Sequence, residues 1–371
     1  MRVGGFHLTY CTNIHAGEEW AEVRDAIAAV LPRVRRHLGA TGPFGIGLRL
    51  SASAAASLSS PDALREFQQF LADHDHYVFT INGFPYGAFH GERVKENVYL
   101  PDWRDPRRVS YSNQLADILA ALLPPGMTTG SVSTVPGAFK PHLKSRADVE
   151  AVAAGIRAHA EYLERLEART GTRIRLALEP EPSCLLETVD ETCAFFDQYL
   201  VDAGVRRYVG VCVDTCHMAV EFEDPSRLLS TFVNAGVDVV KVQISSALDV
   251  PAKQIGALRP FAEDTYLHQV VAKHGDALER FVDLPDALAH AGASDDWRVH
   301  FHVPLFLEHL GALATTQPFV ASFLTALRAN PVCDQLEVET YTWDVLPPEH
   351  RTLDVAEAIA RELDWVRSQL A

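Results

Sequence analysis

Three acidic residues stand where apolar runs end. The runs read Arg-Leu-Ala-Leu-Glu179-Pro-Glu181-Pro, Val-Gly-Val-Cys-Val-Asp214-Thr-Cys-His217 and Leu-Glu-Val-Glu339-Thr-Tyr-Thr-Trp. A carboxylate that follows the apolar residues of a buried parallel strand emerges at the mouth of the sheet. Three carboxylates converging there repel one another and are costly to desolvate. A divalent cation (Mn²⁺, Mg²⁺, Co²⁺ or Zn²⁺) resolves both problems and leaves room for substrate oxygens. Separate ion pairs or helix caps explain any one of these residues; the same placement three times favours a shared cation.

Other side chains could complete such a site. His217 follows Asp214 by three residues, close enough to share it as a metal ligand, substrate contact or proton relay; a capping or core histidine is the plain alternative. Gln243 closes the run Lys-Val-Gln-Ile-Ser, and its buried amide needs partners: a metal, a substrate hydroxyl or a neighbouring strand end. His300 and His302 share a strand face in His-Phe-His and can chelate a metal or line a hydroxyl-rich pocket, His302 being the stronger candidate; His268 lies nearby in the chain. Asn82 opens Asn-Gly-Phe-Pro-Tyr-Gly-Ala-Phe-His90, a shaped loop whose rings can stack on an apolar or sugar face. Arg49 and Lys140 could each clamp a phosphate or carboxylate, or form a surface salt bridge. Cys216 is expected to point into packing. No GxSxG elbow, P-loop or GxGxxG after the first strand occurs.

The elements that position these residues alternate. Strands are expected at 5–12, 44–51, 77–84, 130–135, 173–180, 208–216, 239–246 and 336–343. Helices are expected at 20–38, 62–73, 111–123, 146–170, 189–203, 225–234, 316–329 and 352–370. Eight strand–helix units are the pattern of a (β/α)₈ TIM barrel, read as one domain over 1–371. Glu179 to Asp214 and Asp214 to Gln243 are each about one unit, whereas Gln243 to Glu339 is far longer. An insertion over about 247–334 is therefore expected to cover the C-terminal face. It holds strand-like runs at 298–305 and 266–272; an alternative count makes 298–305 a barrel strand.

With 371 residues, 47% hydrophobic and 22% charged, the chain is an ordinary globular one. Its formal charge of -16 repels phosphate backbones, so no nucleic-acid partner is expected. No signal core or long apolar run is present, which predicts a cytoplasmic protein without membrane insertion. The six cysteines form no CxxC pair and read as buried free thiols.

The ordered motifs around Glu179, Asp214–His217 and Glu339 resemble the sugar isomerase/epimerase superfamily with a xylose-isomerase-like barrel, which includes the endonuclease IV branch. Over nearly its whole length the chain is similar to the EboE "metabolite traffic" family of bacterial ebo clusters. That likeness is carried by Phe6-His-Leu-Thr-Tyr-Cys-Thr-Asn-Ile-His15, Phe44-Gly-Ile-Gly-Leu-Arg-Leu-Ser51, Thr80-Ile-Asn-Gly-Phe-Pro-Tyr-Gly87 and His300-Phe-His-Val-Pro304. The superfamily resemblance implies one metal held by Glu179, Asp214, position 243 and Glu339; Gln243 stands where the superfamily has His, and His302 or His268 could supply the imidazole. It also implies a proton shuttle between Glu179 and Glu339 on a polyhydroxylated or cyclitol-like substrate. His217 would hold a substrate oxygen or a second metal. A metabolite-binding carrier using the same pocket is the other expectation.

Overall fold

Runs such as Val-Gly-Val-Cys-Val and Val-Val-Lys-Val-Gln-Ile are rich in β-branched residues and apolar on the face that meets helices, as parallel strands require. The computed structural model describes residues 1–91, 93–290 and 296–371. Its main sheet holds eight parallel strands: β1 (Phe6–Tyr10), β2 (Phe44–Arg49), β3 (His76–Asn82), β4 (Thr129–Thr134), β5 (Arg173–Leu178), β6 (Val209–Asp214), β7 (Val239–Ile244) and β8 (Gln335–Val338). A short strand, Arg2–Val3, adds antiparallel to β1. The order is β1-β8-β7-β6-β5-β4-β3-β2. The sheet is curled: Cys11, just past β1, bridges Gly47 of β2, and the Thr9 hydroxyl donates to the Gly45 carbonyl oxygen at 2.8 Å.

Helices α1 (Trp20–Leu38), α2 (Pro61–Asp73), α3 (Pro106–Leu122), α4 (Arg146–Thr170), α5 (Val189–Tyr199), α6 (Leu228–Asn234), α7 (Gln317–Ala329) and α8 (Val355–Leu370) accompany the strands. Where caps are local the expected bounds hold. Glu19 and Glu22 form a capping box on α1, and Ser145 and Asp148 form one on α4. Left-handed Gly39 and Gly171 end these two helices. α3 starts at Pro106, five residues before the expected Tyr111, because the Asp105 side chain caps the Arg107 N–H with proline at the first turn. The expected helix over 189–203 ends at Tyr199, and Asp202 caps a separate turn, Ala203–Tyr208.

The interior of the curl is polar. Lys241 of β7 pairs with Glu337 of β8 at 2.5 Å, both fully buried, and donates to the Ser133 hydroxyl at 3.1 Å. Thr80, Ser131 and Gln335 continue the network across β3, β4 and β8. This explains a glycine that the sequence leaves unexplained: a Cβ at Gly47 would overlap the Glu337 carboxylate. Outward-facing Val211, Val213, Val242, Ile244 and Leu336 are wholly buried and belong to the main core.

One residue after β7 the chain enters a second, antiparallel sheet. It comprises Ser246–Val250, Val270–His274, Ala277–Phe281, Asp296–Val303, His309–Leu310 and Leu313–Thr315. The run expected at 298–305 is here, paired antiparallel with 270–274 and 246–250, so the count that made it a barrel strand is corrected. β8 has four residues where eight were expected; after Val338 the chain turns into a 3₁₀ segment, Tyr341–Val345. All six cysteines are free, and five are buried. No described helix is long and apolar enough to cross a membrane.

Candidate metal centre

Glu179 follows β5, Asp214 ends β6 and Glu339 follows β8, and one carboxylate oxygen of each lies within 4.8 Å of the others. All three are buried. The Asp214 carboxylate does two jobs. Its Oδ1 caps the turn after β6, accepting from the N–H groups of Cys216 (2.8 Å) and His217 (3.1 Å) and from the Ser245 hydroxyl (2.5 Å). Its Oδ2 is buried without a partner, as are Oε2 of Glu179 and Oε2 of Glu181. Glu339 Oε1 accepts from the amides of Asn13 (2.8 Å) and Asn82 (2.9 Å).

Beside the carboxylates lie three imidazoles whose protons are assigned by their neighbours. Nδ1 of His217 meets the Pro180 carbonyl oxygen at 3.0 Å, and Nδ1 of His302 meets the Glu339 carbonyl oxygen at 2.8 Å. Nδ1 of His300 meets Oε1 of Gln269 at 2.6 Å. The Gln269 amide is oriented by its Nε2, which donates to the Pro182 carbonyl oxygen and to Glu181. Each acceptor requires the proton on Nδ1, so each Nε2 carries a lone pair. These lone pairs converge: His217 to His300 is 3.2 Å and His300 to His302 is 3.3 Å.

Burial pushes His300 well below the ordinary histidine range and His302 down to about 4, so both rings are neutral at pH 7. Burial, then the mutual repulsion of the carboxylates, raises Glu179 and Glu339 well above the usual range. Burial would raise Asp214 too, but the charge that His217 and His302 take up on protonation, with the Ser245 hydroxyl and the His217 N–H, outweighs it and holds the carboxyl below its ordinary range.

This donor set fits a cation. Partnerless carboxylate oxygens lie beside converging imidazole lone pairs, a costly arrangement unless positive charge lies between them. A tetrahedral ion with metal–nitrogen bonds of about 2.0–2.1 Å has ligand edges of roughly 3.3–3.4 Å, close to the observed spacings. Asp214 belongs both to the group with Glu179 and Glu339 and to a group with His217 and His302, so it can join two ions.

Above the centre is a cavity walled by Phe84, Phe89, Val98 and Tyr266, with Glu179, Glu181, His217, His300 and Glu339 at its base. The loop after β3 is pinned there to the inserted segment. Val94 and Lys95 donate their N–H groups to the Thr265 carbonyl oxygen at 2.8 and 2.9 Å, and the Tyr266 hydroxyl donates to that of Phe89 at 2.8 Å.

No protein-family model and no curated protein matches the chain. Solved structures do. A xylose isomerase-like TIM barrel protein from Mycobacterium smegmatis in complex with magnesium aligns with a TM-score of 0.55 at 15% identity, covering 100% of this chain and 98% of that one. The IolI protein with a bound zinc atom gives 0.52 at 14%, covering 98% and 97%. The 3-keto-D-glucoside 4-epimerase YcjR from E. coli gives 0.50 at 15%, covering 98% and 99%. The fold is xylose-isomerase-like.

Within this xylose-isomerase-like fold the remaining expected residues separate. Gln243 is in register with Asp214 on the neighbouring strand, but its Oε1 accepts from the Cys212 thiol at 2.7 Å and its Nε2 has no partner. The one atom that could ligate is therefore engaged by the Cys212 thiol, and His300, not ranked highly from sequence, brings its nitrogen to those of His217 and His302. Glu181 lines the cavity with Oε1 held by the Tyr99 hydroxyl at 2.8 Å. His268 uses both nitrogens, on the His300 carbonyl oxygen and on Glu263, and so braces His300 from behind. Arg49 is buried against Glu18 and the carbonyl oxygens of Gly17 and Gly87. Lys140 is paired with Glu187 and Glu191 outside the cavity lining, the salt-bridge alternative. Half-buried His90 does not line the cavity either. Cys216 packs on Val220, Ala247 and Val271, yet its sulfur also lies within 4.8 Å of His300 and His302 nitrogens. The signal for His300 was its alternation with His302; the signal for Tyr99 and Gln269 was absent, because Tyr99 ends a short 3₁₀ segment and Gln269 stands just before a strand of the inserted sheet, each far along the chain from the residues it meets.

Proposed function

We propose that the chain is a divalent-metal-dependent isomerase- or epimerase-like enzyme for a small polyhydroxylated or cyclitol-like molecule. It is built as a closed (β/α)₈ barrel, residues 1–371, with the inserted segment over its C-terminal face. The observation that carries this reading is the meeting of partnerless carboxylate oxygens with three converging imidazole Nε2 atoms, of which only that of His300 has another donor in reach, the Tyr341 hydroxyl at 3.5 Å. Glu179, Asp214 and Glu339, with Gln243 beside them, would hold one cation; Asp214, His217 and His302 would hold another, with His300 against both rings. Bound there, such a cation polarises a substrate carbonyl and an adjacent hydroxyl. Glu179, with a free Oε2, takes the proton from the neighbouring carbon. Glu339, whose Oε1 is oriented by Asn13 and Asn82, returns it. The burial that raises both carboxyl groups suits them to proton transfer near neutral pH. Structural likeness to a sugar epimerase and to a D-tagatose 3-epimerase-like protein supports a sugar-like substrate.

The test is exchange of carbon-bound hydrogen for deuterium on a panel of ketoses and inososes, followed by NMR. Glu179→Gln and Glu339→Gln should each lose at least about 100-fold in exchange rate while staying folded. Unchanged exchange in both variants removes this mechanism.

Gln243 favours a second reading, an ebo-type metabolite carrier, because its oxygen is turned to Cys212 and strand β7 then lacks a ligand. A ligand retained through purification, with no deuterium exchange by the native protein, would decide for the carrier.

A further inference from the structure

Of the buried positive side chains around the cavity and below it, Lys95, Arg49 and Lys241 are each paired with a carboxylate. Lys95, the cation of the described lining, is buried with its ammonium on Asp283 at 2.7 Å and on the Glu263 carbonyl oxygen at 3.0 Å. Arg49 is held by Glu18; Arg108, fully buried, donates to the carbonyl oxygens of Pro101, Gly83 and Phe84 through Nε and Nη1, and its Nη2 is enclosed without a partner. Lys241, below the carboxylates, is matched by Glu337. The base of the cavity is acidic: Glu179, Glu181 and Glu339 line it, and Asp214 lies just behind. Two divalent ions would neutralise these four carboxylates and leave no surplus positive charge. The walls, Phe84, Phe89, Val98 and Tyr266, are apolar rings and branched chains.

From this distribution we infer that the substrate carries neither a phosphate nor a carboxylate. It is an uncharged polyol, with oxygens directed to the base and a C–H face laid on the aromatic wall. An anionic substituent held away from the reacting carbon would lose its hydration without gaining a cation, which is strongly unfavourable. An uncharged ring loses little on the same wall and gains contact with it. The inference rests on the proposed isomerase reading and deepens it by naming the substrate class.

The experiment is titration calorimetry of the purified, Mn²⁺- or Zn²⁺-equilibrated protein with two matched pairs. One pair is scyllo-inosose and 3-dehydroshikimate; the other is D-fructose and fructose 6-phosphate. The uncharged member of at least one pair should bind at least tenfold tighter than its anionic partner. The variant Val98→Arg, which places a free cation on the wall, should narrow or reverse that preference. Equal or tighter binding of the anionic members, or no binding of either uncharged member, overturns the inference. Metal content measured on the same samples keeps the two readings apart. Metal-free protein that still prefers uncharged ligands removes the metal-dependent mechanism alone; metal-loaded protein that prefers the acids removes only the substrate class.

Discussion

Nε2 of His300 lies 3.2 Å from Nε2 of His217, although the two residues are 83 positions apart and only His300 belongs to the inserted sheet. Both nitrogens bear lone pairs, because both Nδ1 protons are taken by carbonyl oxygens. Two acceptors this close need something positive between them.

If that positive charge is a metal ion, His300→Ala should lower the metal content of the purified protein by about one equivalent and leave the ion at Glu179 and Glu339 in place. Elemental analysis of native and variant protein reads this directly. Equal metal content in the two would show that His300 is not a ligand. Removing the acceptor of its Nδ1 proton, by Gln269→Leu, should weaken the same ion by about 10–100-fold.

Asp214→Asn separates the two jobs of this carboxylate. The Asn Oδ1 can still accept from the N–H groups of Cys216 and His217, so the turn after β6 should keep its stability to within about 1 kcal/mol. The charge facing Glu179 and Glu339 is gone, so metal binding should fall steeply. Asp214→Ala loses the cap as well and should cost about 1–2 kcal/mol more. Chemical denaturation with chelator present, alongside metal analysis, reads both effects.

Lys241 and Glu337 are a fully buried ion pair inside the curled sheet. Lys241→Met leaves a buried carboxylate without its partner and should destabilise the fold by about 3–5 kcal/mol. The double variant Lys241→Met with Glu337→Leu removes both charges and should recover most of that loss, although the new leucine side chain must still fit against Gly47. Urea unfolding midpoints of the single and double variants provide the measurement. No recovery in the double variant would mean that the packing around Gly47, and not charge, sets the cost.

Glu362 of α8 joins the inserted segment to the end of β8, accepting from the Leu305 N–H at 3.1 Å and from the Thr340 hydroxyl at 2.6 Å. Burial pushes its carboxyl up from 4.5 to about 7, against those two hydrogen bonds. Between these values the folded chain holds the proton more tightly than the unfolded one, so stability from this group falls as pH rises from about 4.5 to 7 and stays low above that. The full difference is roughly 3 kcal/mol. Glu362→Gln keeps an acceptor for both donors and cannot ionise. Its melting temperature should exceed that of the native protein at pH 8 and match it near pH 5.

Local chemistry made much of this molecule legible in advance. Trp20–Leu38 and Arg146–Thr170 could be bounded from sequence because capping boxes and left-handed glycines lie within a few residues of the ends they close. Glu179, Asp214 and Glu339 could be singled out together because each stands at the end of a buried strand, and parallel strands deliver such residues to one face. Partnership was harder to read. Nothing near Gln243 says that its oxygen faces Cys212, and nothing near Lys140 says that Glu187 and Glu191 will occupy it.

The order of residues along the chain thus determined which acidic groups emerge at the mouth of the sheet and which segments become helices, since periodicity and capping act over a few positions. Tertiary structure alone decided that His300 joins His217 and His302, which nitrogen of each ring holds the proton, and that Lys95 and Arg49 are already matched by Asp283 and Glu18. Those outcomes depend on carbonyl oxygens and carboxylates brought from tens of residues away, and a hydrogen bond or ion pair exists only when both partners are within about 3 Å.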